Sequence, residues 1–231
     1  MWSQKKIKNY LLFSISEVIL VVIGILIAVQ TNNWNENKKK EKNKYEFLVH
    51  LKEEISLDTL QLSAKIKSFK NVNETVFKGM LLLEKTHHTE IEKNDFEMAM
   101  NRTRVLTPLN KNTNRNDNKI SSGIIANNEL NNLLLEYYEK IDYHKEVMTK
   151  FGETLQLMYL TQISPFVKFR HNNKAEYSLK ALKGNNAFNN AFHISLGSRR
   201  QSIRWLEDQK GEAIELLNTI DKQILLAKPM K

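Results

Sequence analysis

The sequence predicts an all-α protein, with an N-terminal transmembrane helix followed by an elongated bundle of three long helices and short connecting helices. Three observations carry this prediction. The 231 residues include an apolar segment near the N-terminus that is long enough to cross a bilayer. Apolar residues recur at helical spacing in three later stretches. Only 7 Gly and 3 Pro interrupt the chain, which disfavours turn-rich β sandwiches and glycine-rich nucleotide loops.

The apolar segment runs from Tyr10 to Val29 and is broken only by two serines and Glu17. Twenty residues at helical rise match a hydrocarbon core of about 30 Å. Trp34 follows as an interface anchor, because its ring suits the headgroup layer. A cleaved signal peptide is the alternative, but polar residues and lysines stand where a small-residue cleavage site would follow. The sequence therefore predicts an uncleaved span over residues 10–31.

One stripe of the predicted span suits contact with a second transmembrane helix. Gly24 and Ala28 form a small-xxx-small motif, which lets two helix backbones approach closely in lipid. Glu17 shares the stripe, and an ionisable side chain inside lipid is expected to face a partner helix or a second subunit. If the span begins near Val18 instead, Glu17 lies in the interface. We call this set the transmembrane stripe: Glu17, Val21, Gly24, Ala28 and Thr31.

The basic charge of the chain brackets the span. The formal net charge is +9, from 35 Lys and Arg against 26 Asp and Glu. Lysines cluster in a short leader, residues 1–9, and in a juxtamembrane segment, residues 32–44, as expected of an anchor that touches anionic lipid. A nucleic-acid binder more often spreads its charge over one face of a folded domain. The expected partner is therefore the lipid bilayer and not nucleic acid.

Three helical seams define the predicted bundle domain, residues 45–231. They run over residues 44–84, 130–162 and 192–224, and the second and third alternate steps of four and three residues. Pro165 closes the second seam. Helices of roughly 35–40 residues would pack side by side as an elongated bundle.

Polar connectors join the three seams. A short helix is predicted around Asp95–Met100, and another over Ser121–Ala126. The stretch Asn110–Asn118 is polar enough to form a loop. Residues 170–187 are expected to form the connection into the third long helix.

Four polar residues occupy seam positions, where an unpaired charge is costly. Either they pair across the bundle and fix its register, or they line a pocket for a small anionic ligand, since a guanidinium binds a carboxylate or phosphate through bidentate contacts. A hydrogen-bonded core histidine is favoured for the one histidine among them, because no Asp, Ser or Cys is spaced to act with it. The four are Asp58, His144, Arg199 and Lys210.

No catalytic, cofactor or metal site is expected. The chain has no Cys, which excludes disulfides, zinc–thiolate sites and a cysteine nucleophile. His87-His88 with Glu90 and Glu92 is the best metal candidate by residue type, but its spacing matches no ligand motif. The sequence has no Walker-type loop, Rossmann glycines, nucleophile elbow or HExxH motif. A non-enzymatic protein is therefore favoured.

Two blocks of the sequence carry a resemblance. The first, specific at nearly every position, is SEVILVVIGILIAVQ at residues 16–30 followed by NNWNE at 32–36. The second and weaker block holds Ser122-Gly123, Asn127, Glu129-Leu130 and Tyr137-Tyr138. Together they resemble an uncharacterised family of single-span membrane proteins of Bacteroidota, classed as a domain of unknown function. Ser16 stands where that family usually has Gly, and Thr31 where it usually has an aliphatic residue. The resemblance implies the anchor, the compartment and a helical fold, and it supplies no function.

These features predict a membrane-anchored, non-enzymatic helical scaffold or interaction protein. Its partner is expected to be a second copy, bound through the transmembrane helix, or another membrane protein. The alternative is a sensory bundle for a small anionic ligand. Because only about nine residues precede the span, such a sensor would have to signal to a separate membrane partner.

The flanking charges and the family resemblance give opposite orientations. Three Lys or Arg precede the span and five follow it, which alone places the bundle in the cytoplasm. The family it resembles usually carries a longer basic leader, which keeps the N-terminus inside. We expect a single-pass protein of the bacterial inner membrane, with its helical domain in the periplasm.

Overall fold

The computed structural model describes residues 4–106, 128–169 and 175–227, and these are almost entirely helical. A π-turn, Tyr159–Ile163, and a 3₁₀ turn, Ser164–Phe166, follow the third helix. Strands β1 (Lys168–Phe169) and β2 (Ala175–Glu176) form a small antiparallel pair. The all-α prediction is confirmed. The helices are α1 (Gln4–Leu83), α2 (Glu90–Arg102), α3 (Asn128–Met158), α4 (Leu179–Lys183) and α5 (Asn186–Ala227).

Helix α1 joins the predicted span and the first bundle helix into one unbroken element of 80 residues. No Gly or Pro lies between Val29 and Phe47 to end it. At 1.5 Å per residue, α1 is about 120 Å long. The juxtamembrane segment, residues 32–44, is therefore helical, and its side chains are exposed up to Asn43. Phe47 is the first buried residue of α1, and the half-buried Tyr45 packs against the same cluster, so the bundle begins at Tyr45.

The bundle is built from α1, α3 and α5. Helix α5 runs antiparallel to α1, as two ion pairs show: Lys52 Nζ to Asp221 Oδ1 and Lys70 Nζ to Glu207 Oε1, each 2.7 Å. Three apolar clusters fill its length, one beside Phe47, one in the middle and one at the far end. Buried seam positions include Leu48, Leu51, Ile55, Leu62, Leu130, Leu134, Ile141, Leu155, Phe192, Leu196, Leu206 and Ile220.

The second seam departs from its predicted register at its end. Met158 and Gln162 continue the four-and-three spacing, but both are only half-buried. Burial moves by one residue to Tyr159 and Ile163, which are 5% and 0% exposed. The π-turn that begins at Tyr159 adds one residue to the helical turn and keeps these two side chains on the same side. The predicted stop at Pro165 falls within the 3₁₀ turn that follows.

The short elements pack at the far end of the bundle. The helix predicted around Asp95–Met100 is α2, which is longer and begins at a capping box between Thr89 and Glu92. The connection predicted over 170–187 contains β2 and α4. The helix predicted over 121–126 and the loop predicted over 110–118 lie outside the described residues.

Helices α1 and α2 approach closely at Gly79. A Cβ atom added there would lie 2.1 Å from the Cβ of Ala99 and 3.2 Å from Cε1 of Phe192. Atoms at the first distance overlap, so only a glycine lets α2 pack at this depth. The close approach places the end of α2 against α5.

Candidate functional site

The apolar part of α1 is uncovered by the rest of the described chain. The side chains from Val18 to Val29 are exposed, and no residue of the most apolar window is buried. That window has a mean hydropathy of 1.6, and within the described residues α1 is the one helix long and apolar enough to cross a membrane. A helix that is apolar on all sides and packs on nothing needs a lipid or protein environment.

The transmembrane stripe lies on this uncovered part of α1. A Cβ added at Gly24 would have no atom within 4 Å, so the notch beside it is open. Thr31 Oγ1 donates to the carbonyl of Ile27 at 2.8 Å and is satisfied within its own helix. Glu17 is exposed. The described chain brings no partner to this surface.

Trp34 lies one turn beyond the stripe and is also exposed. The ammonium of Lys38 lies 4.0 Å from the centre of its ring, a cation–π contact. An aromatic ring beside a lysine is a pairing that suits the headgroup layer, because the ring tolerates both lipid and water.

Asp58, the first of the four seam residues, is 3% exposed and accepts a hydrogen bond from the Tyr137 hydroxyl at 3.0 Å. The next hydroxyl, of Tyr138, donates to Glu54 Oε1 at 3.2 Å. Burial and the neighbouring Asp58 charge raise the pKa of Tyr137, which keeps it protonated as the donor. These contacts connect α1 with α3 beside the first apolar cluster.

His144 is half-buried between α3 and α5. Its ring stacks on Trp205 with 5.3 Å between ring centres, and Nδ1 lies 3.5 Å from Gln209 Oε1. Trp205 stacks in turn on Phe151, at 5.9 Å. The histidine therefore belongs to an aromatic packing layer.

Arg199 is completely buried and bonds only to neutral acceptors among the described residues. Its Nε donates to Asn73 Oδ1 at 3.1 Å, and Nη1 donates to the carbonyls of Arg102 at 3.3 Å and Val105 at 3.4 Å. Nη2 donates to Ser195 Oγ. Burial lowers the pKa of Arg199 to about 10, which still leaves it charged at neutral pH.

Arg102 is the last residue of α2, and Val105 lies three residues beyond it. The last carbonyls of a helix have no partners within the helix and carry partial negative charge. Ser195, one turn from Arg199 on α5, donates to the carbonyl of Thr103 at 2.6 Å. Arg199 and Ser195 therefore cap α2 from a neighbouring helix. A buried cation is tolerated here because the helix end supplies the opposing charge.

The four seam residues lie at three different levels of the bundle. Asp58 and Asn73, the partner of Arg199, are fifteen residues apart on α1, or about 22 Å by helical rise. Lys210 follows Gln209 and so lies at the level of His144. Its side chain is half-buried, as expected of a lysine whose aliphatic stem packs on the bundle while its ammonium group reaches water. No two of the four pair with each other in the described chain, and they do not line one pocket.

The histidine and glutamate pairs at the start of α2 are engaged in local structure. His88 Nε2 lies 2.8 Å from the carbonyl of Leu82, and Nδ1 lies 3.1 Å from the Tyr177 hydroxyl. Glu92 accepts from the Thr89 backbone N–H at 3.0 Å and pairs with Lys85. Within the described ranges, no group of three or more metal-ligating residues converges.

Sequence reasoning missed several buried polar residues that join elements. Glu97 accepts a hydrogen bond from the Ala175 N–H at 2.8 Å, which ties α2 to β2. The Tyr159 hydroxyl donates to Asn101 Oδ1 at 3.1 Å. Ser195 could have been found, since it stands one turn before Arg199 on the same seam. Glu97 carries no such signal, because its partner lies 78 residues away.

Comparison with known proteins gives a family and no function. Neither a search of curated proteins nor one of solved structures found a match. A family model described as a family of unknown function, DUF6090, matches residues 17–159. The match begins at Glu17 and takes in most of the predicted span, the juxtamembrane segment and helices α2 and α3. Since it covers more than half of the chain, this protein belongs to the DUF6090 family.

Proposed function

We propose that this chain is a membrane-anchored, non-enzymatic scaffold or interaction protein that self-associates through its transmembrane helix. The observation that carries the proposal is α1 itself. It runs without a break from an uncovered apolar segment into the bundle, and it leaves the notch between Gly24 and Ala28 open. In lipid, such a notch favours close packing of a second helix.

The juxtamembrane part of α1 gives the scaffold its reach. Fifteen helical residues separate Val29 from the start of the bundle at Tyr45, which is about 22 Å at 1.5 Å per residue. An unbroken helix holds that distance more firmly than a flexible linker. The bundle would therefore stand clear of the bilayer while the lysines of residues 38–44 face the lipid headgroups.

A non-enzymatic role is supported by the use of the polar residues. Asp58 accepts a hydrogen bond from Tyr137, Arg199 caps α2, and His88 joins Leu82 to Tyr177. Each of these contacts holds two elements together. Catalysis needs such groups around one reacting position, and these lie at different levels of the bundle.

We also propose a location in the bacterial inner membrane, with a single pass and the bundle in the periplasm. A fusion of alkaline phosphatase after Lys231 tests the orientation, because this enzyme needs an oxidising compartment for its disulfides. An active fusion is expected. A fusion that is well expressed but inactive would place the bundle in the cytoplasm.

The sensory alternative requires an anionic ligand near Arg199. Thermal unfolding of the full chain in detergent, with and without carboxylate and phosphate metabolites, tests it. A rise in the midpoint that is lost in Arg199→Met, with Arg200→Met as control, would favour the sensor. No rise is expected, because Nε, Nη1 and Nη2 of Arg199 each donate to an acceptor of the protein itself.

Self-association is tested by crosslinking the full chain in native membranes. Gly24→Leu fills the notch and should lower the dimer yield. Val22→Leu is the matched control, since Val22 lies about 200° from Gly24 around the helix axis. If both variants crosslink as well as the natural chain, association through the stripe is wrong.

A further inference from the structure

The bundle part of α1 exposes an apolar surface on the side away from the core. Leu57 and Leu60 are 54% and 67% exposed, and Ala64 is exposed one turn further on. Ile55 and Leu62 lie on the other side of the helix and are buried. We call Leu57, Leu60 and Ala64 the outward face of α1. The described chain packs nothing on it.

The outward face and the transmembrane stripe lie on the same side of α1. Thirty-six residues make ten turns of α-helix at about 3.6 residues per turn, and α1 is unbroken between the two sets. Each outward residue follows a residue of the stripe by that interval: Leu57 after Val21, Leu60 after Gly24 and Ala64 after Ala28.

The stretch between them on this side is polar and self-complementary. Lys42 and Glu46 follow Gly24 and Ala28 by eighteen residues, which is five turns. Their charged groups lie 3.8 Å apart and are largely exposed. Two parallel copies in register would place each lysine diagonal to the other copy's glutamate, so the two pairs attract across the interface.

We propose that the outward face of α1 is the bundle's half of a parallel homodimer interface whose other half is the transmembrane stripe. The inference rests on the proposed self-association through the span. A membrane holds all copies in one orientation and at one depth. Two copies joined at Gly24 with near-parallel α1 helices therefore present the same outward face to each other. The occupant is a second copy of this chain, meeting it residue by residue as two-fold symmetry requires.

The natural chain has no Cys, so single cysteines report contacts without background. Leu60→Cys tests the outward face, and Ala28→Cys tests the span. Leu135→Cys is the matched control, a leucine on α3 that is 46% exposed. Each full-length variant is oxidised in native membranes with copper phenanthroline and dissolved oxygen, and the disulfide-linked dimer is measured.

Dimer is expected from Leu60→Cys and Ala28→Cys, with little from Leu135→Cys. Adding Leu57→Glu to Leu60→Cys places like charges in the interface and should lower that yield about tenfold. Both substituted leucines are exposed, so folding should be unaffected, which circular dichroism checks.

The remaining outcomes separate the two proposals. Dimer at position 28 and none at position 60 overturns the outward-face interface and leaves the span association standing. No dimer at either position overturns both. Equal yields at positions 60 and 135 indicate random collision and also overturn the outward-face interface, as does dimer at 60 without dimer at 28.

Discussion

Arg199 shows how a charged residue in a helical seam can be used to join elements of the fold. Its position in a helical seam and its charge are the features that a ligand-binding arginine would have. The structure surrounds it with the carbonyls of Arg102 and Val105 and the side chains of Asn73 and Ser195. A buried donor with well-placed acceptors stabilises the folded state. If the donor is removed, the same acceptors stay buried without hydrogen bonds and destabilise it.

Arg199→Met should lower the free energy of unfolding by about 2–4 kcal/mol, because it keeps an aliphatic stem but strands buried carbonyls. The control is Arg200→Met, an exposed neighbour whose substitution should change stability by less than about 0.5 kcal/mol. Denaturant unfolding of the full chain in detergent measures both. Equal stability of the two variants would contradict the capping role.

Glu92 is the residue whose charge links local structure to pH. Donation from Lys85, and then from the Thr89 backbone N–H, lowers its pKa from 4.5 to about 2. A carboxyl with a lowered pKa in the folded state adds stability above its unfolded pKa, and this is lost as pH falls through the folded value. The window therefore runs from about pH 4.5 down to about pH 2.

Glu92→Gln should be less stable than the natural chain above pH 4.5, and the difference should shrink towards pH 2, where both side chains are neutral. Thermal midpoints of the full chain across this range measure it. Glu74→Gln, at an exposed position of α1, is the control. A difference for Glu92→Gln that stays constant down to pH 2 would contradict the ion-pair assignment.

At the scale of elements, the packing of α2 against α1 and α5 depends on the absence of a side chain at one position as much as on contacts. Gly79 leaves room for Ala99 and Phe192, and the caps from α5 hold the same end of α2 one turn further on, at Thr103. Glycine inside a helix ordinarily lowers its stability, so its presence at this contact is explained by the close approach.

Gly79→Ala should lower the free energy of unfolding by about 1–3 kcal/mol, since α2 must move away from α1. Gly211→Ala on α5 should raise it by up to about 1 kcal/mol, because an added Cβ there meets no atom within 4 Å. Opposite signs in denaturant unfolding are the expected result. A stabilising effect of Gly79→Ala would show that the two helices are further apart than described.

At the scale of the whole molecule, α1 divides into a free part and a packed part. Residues 31–43 are exposed, whereas Phe47 and the seam beyond it are buried. Side chains that pack on nothing contribute little to the cooperative unfolding of a bundle. We therefore predict that the cooperative unfolding unit begins at the boundary between the juxtamembrane segment and the bundle domain, at residues 44 and 45.

Lys40→Pro should break α1 in the free part and leave the thermal midpoint of the bundle unchanged. Ser56→Pro should unfold the bundle, because it breaks α1 in the packed part. A proline destabilises the interior of a helix by about 3 kcal/mol at either position, so the difference reports which part of α1 belongs to the bundle. Near-ultraviolet circular dichroism of the full chain follows the bundle in both variants. An equal loss of midpoint would mean that the juxtamembrane helix belongs to the cooperative unit.

The sequence by itself determined the helical fold, the apolar segment and most of the core, because these depend on composition and on a periodicity that is local along the chain. The transmembrane stripe stays a prediction from the four-residue spacing of Gly24 and Ala28, which puts both on one side of the helix. The sequence did not predict the end of the second seam, because burial moves by one residue to Tyr159 and the π-turn that follows carries no local signal.

Only the tertiary structure decided what the buried charges do. Arg199 meets carbonyls from 94 and 97 residues away, and Asp58 meets Tyr137 from 79 residues away, so no local pattern could pair them. The structure also decided that α1 continues through residues 32–44, and with it that the outward face lies above the stripe. Residues thirty-six positions apart lie on the same side of α1 only if every helical turn between them is formed.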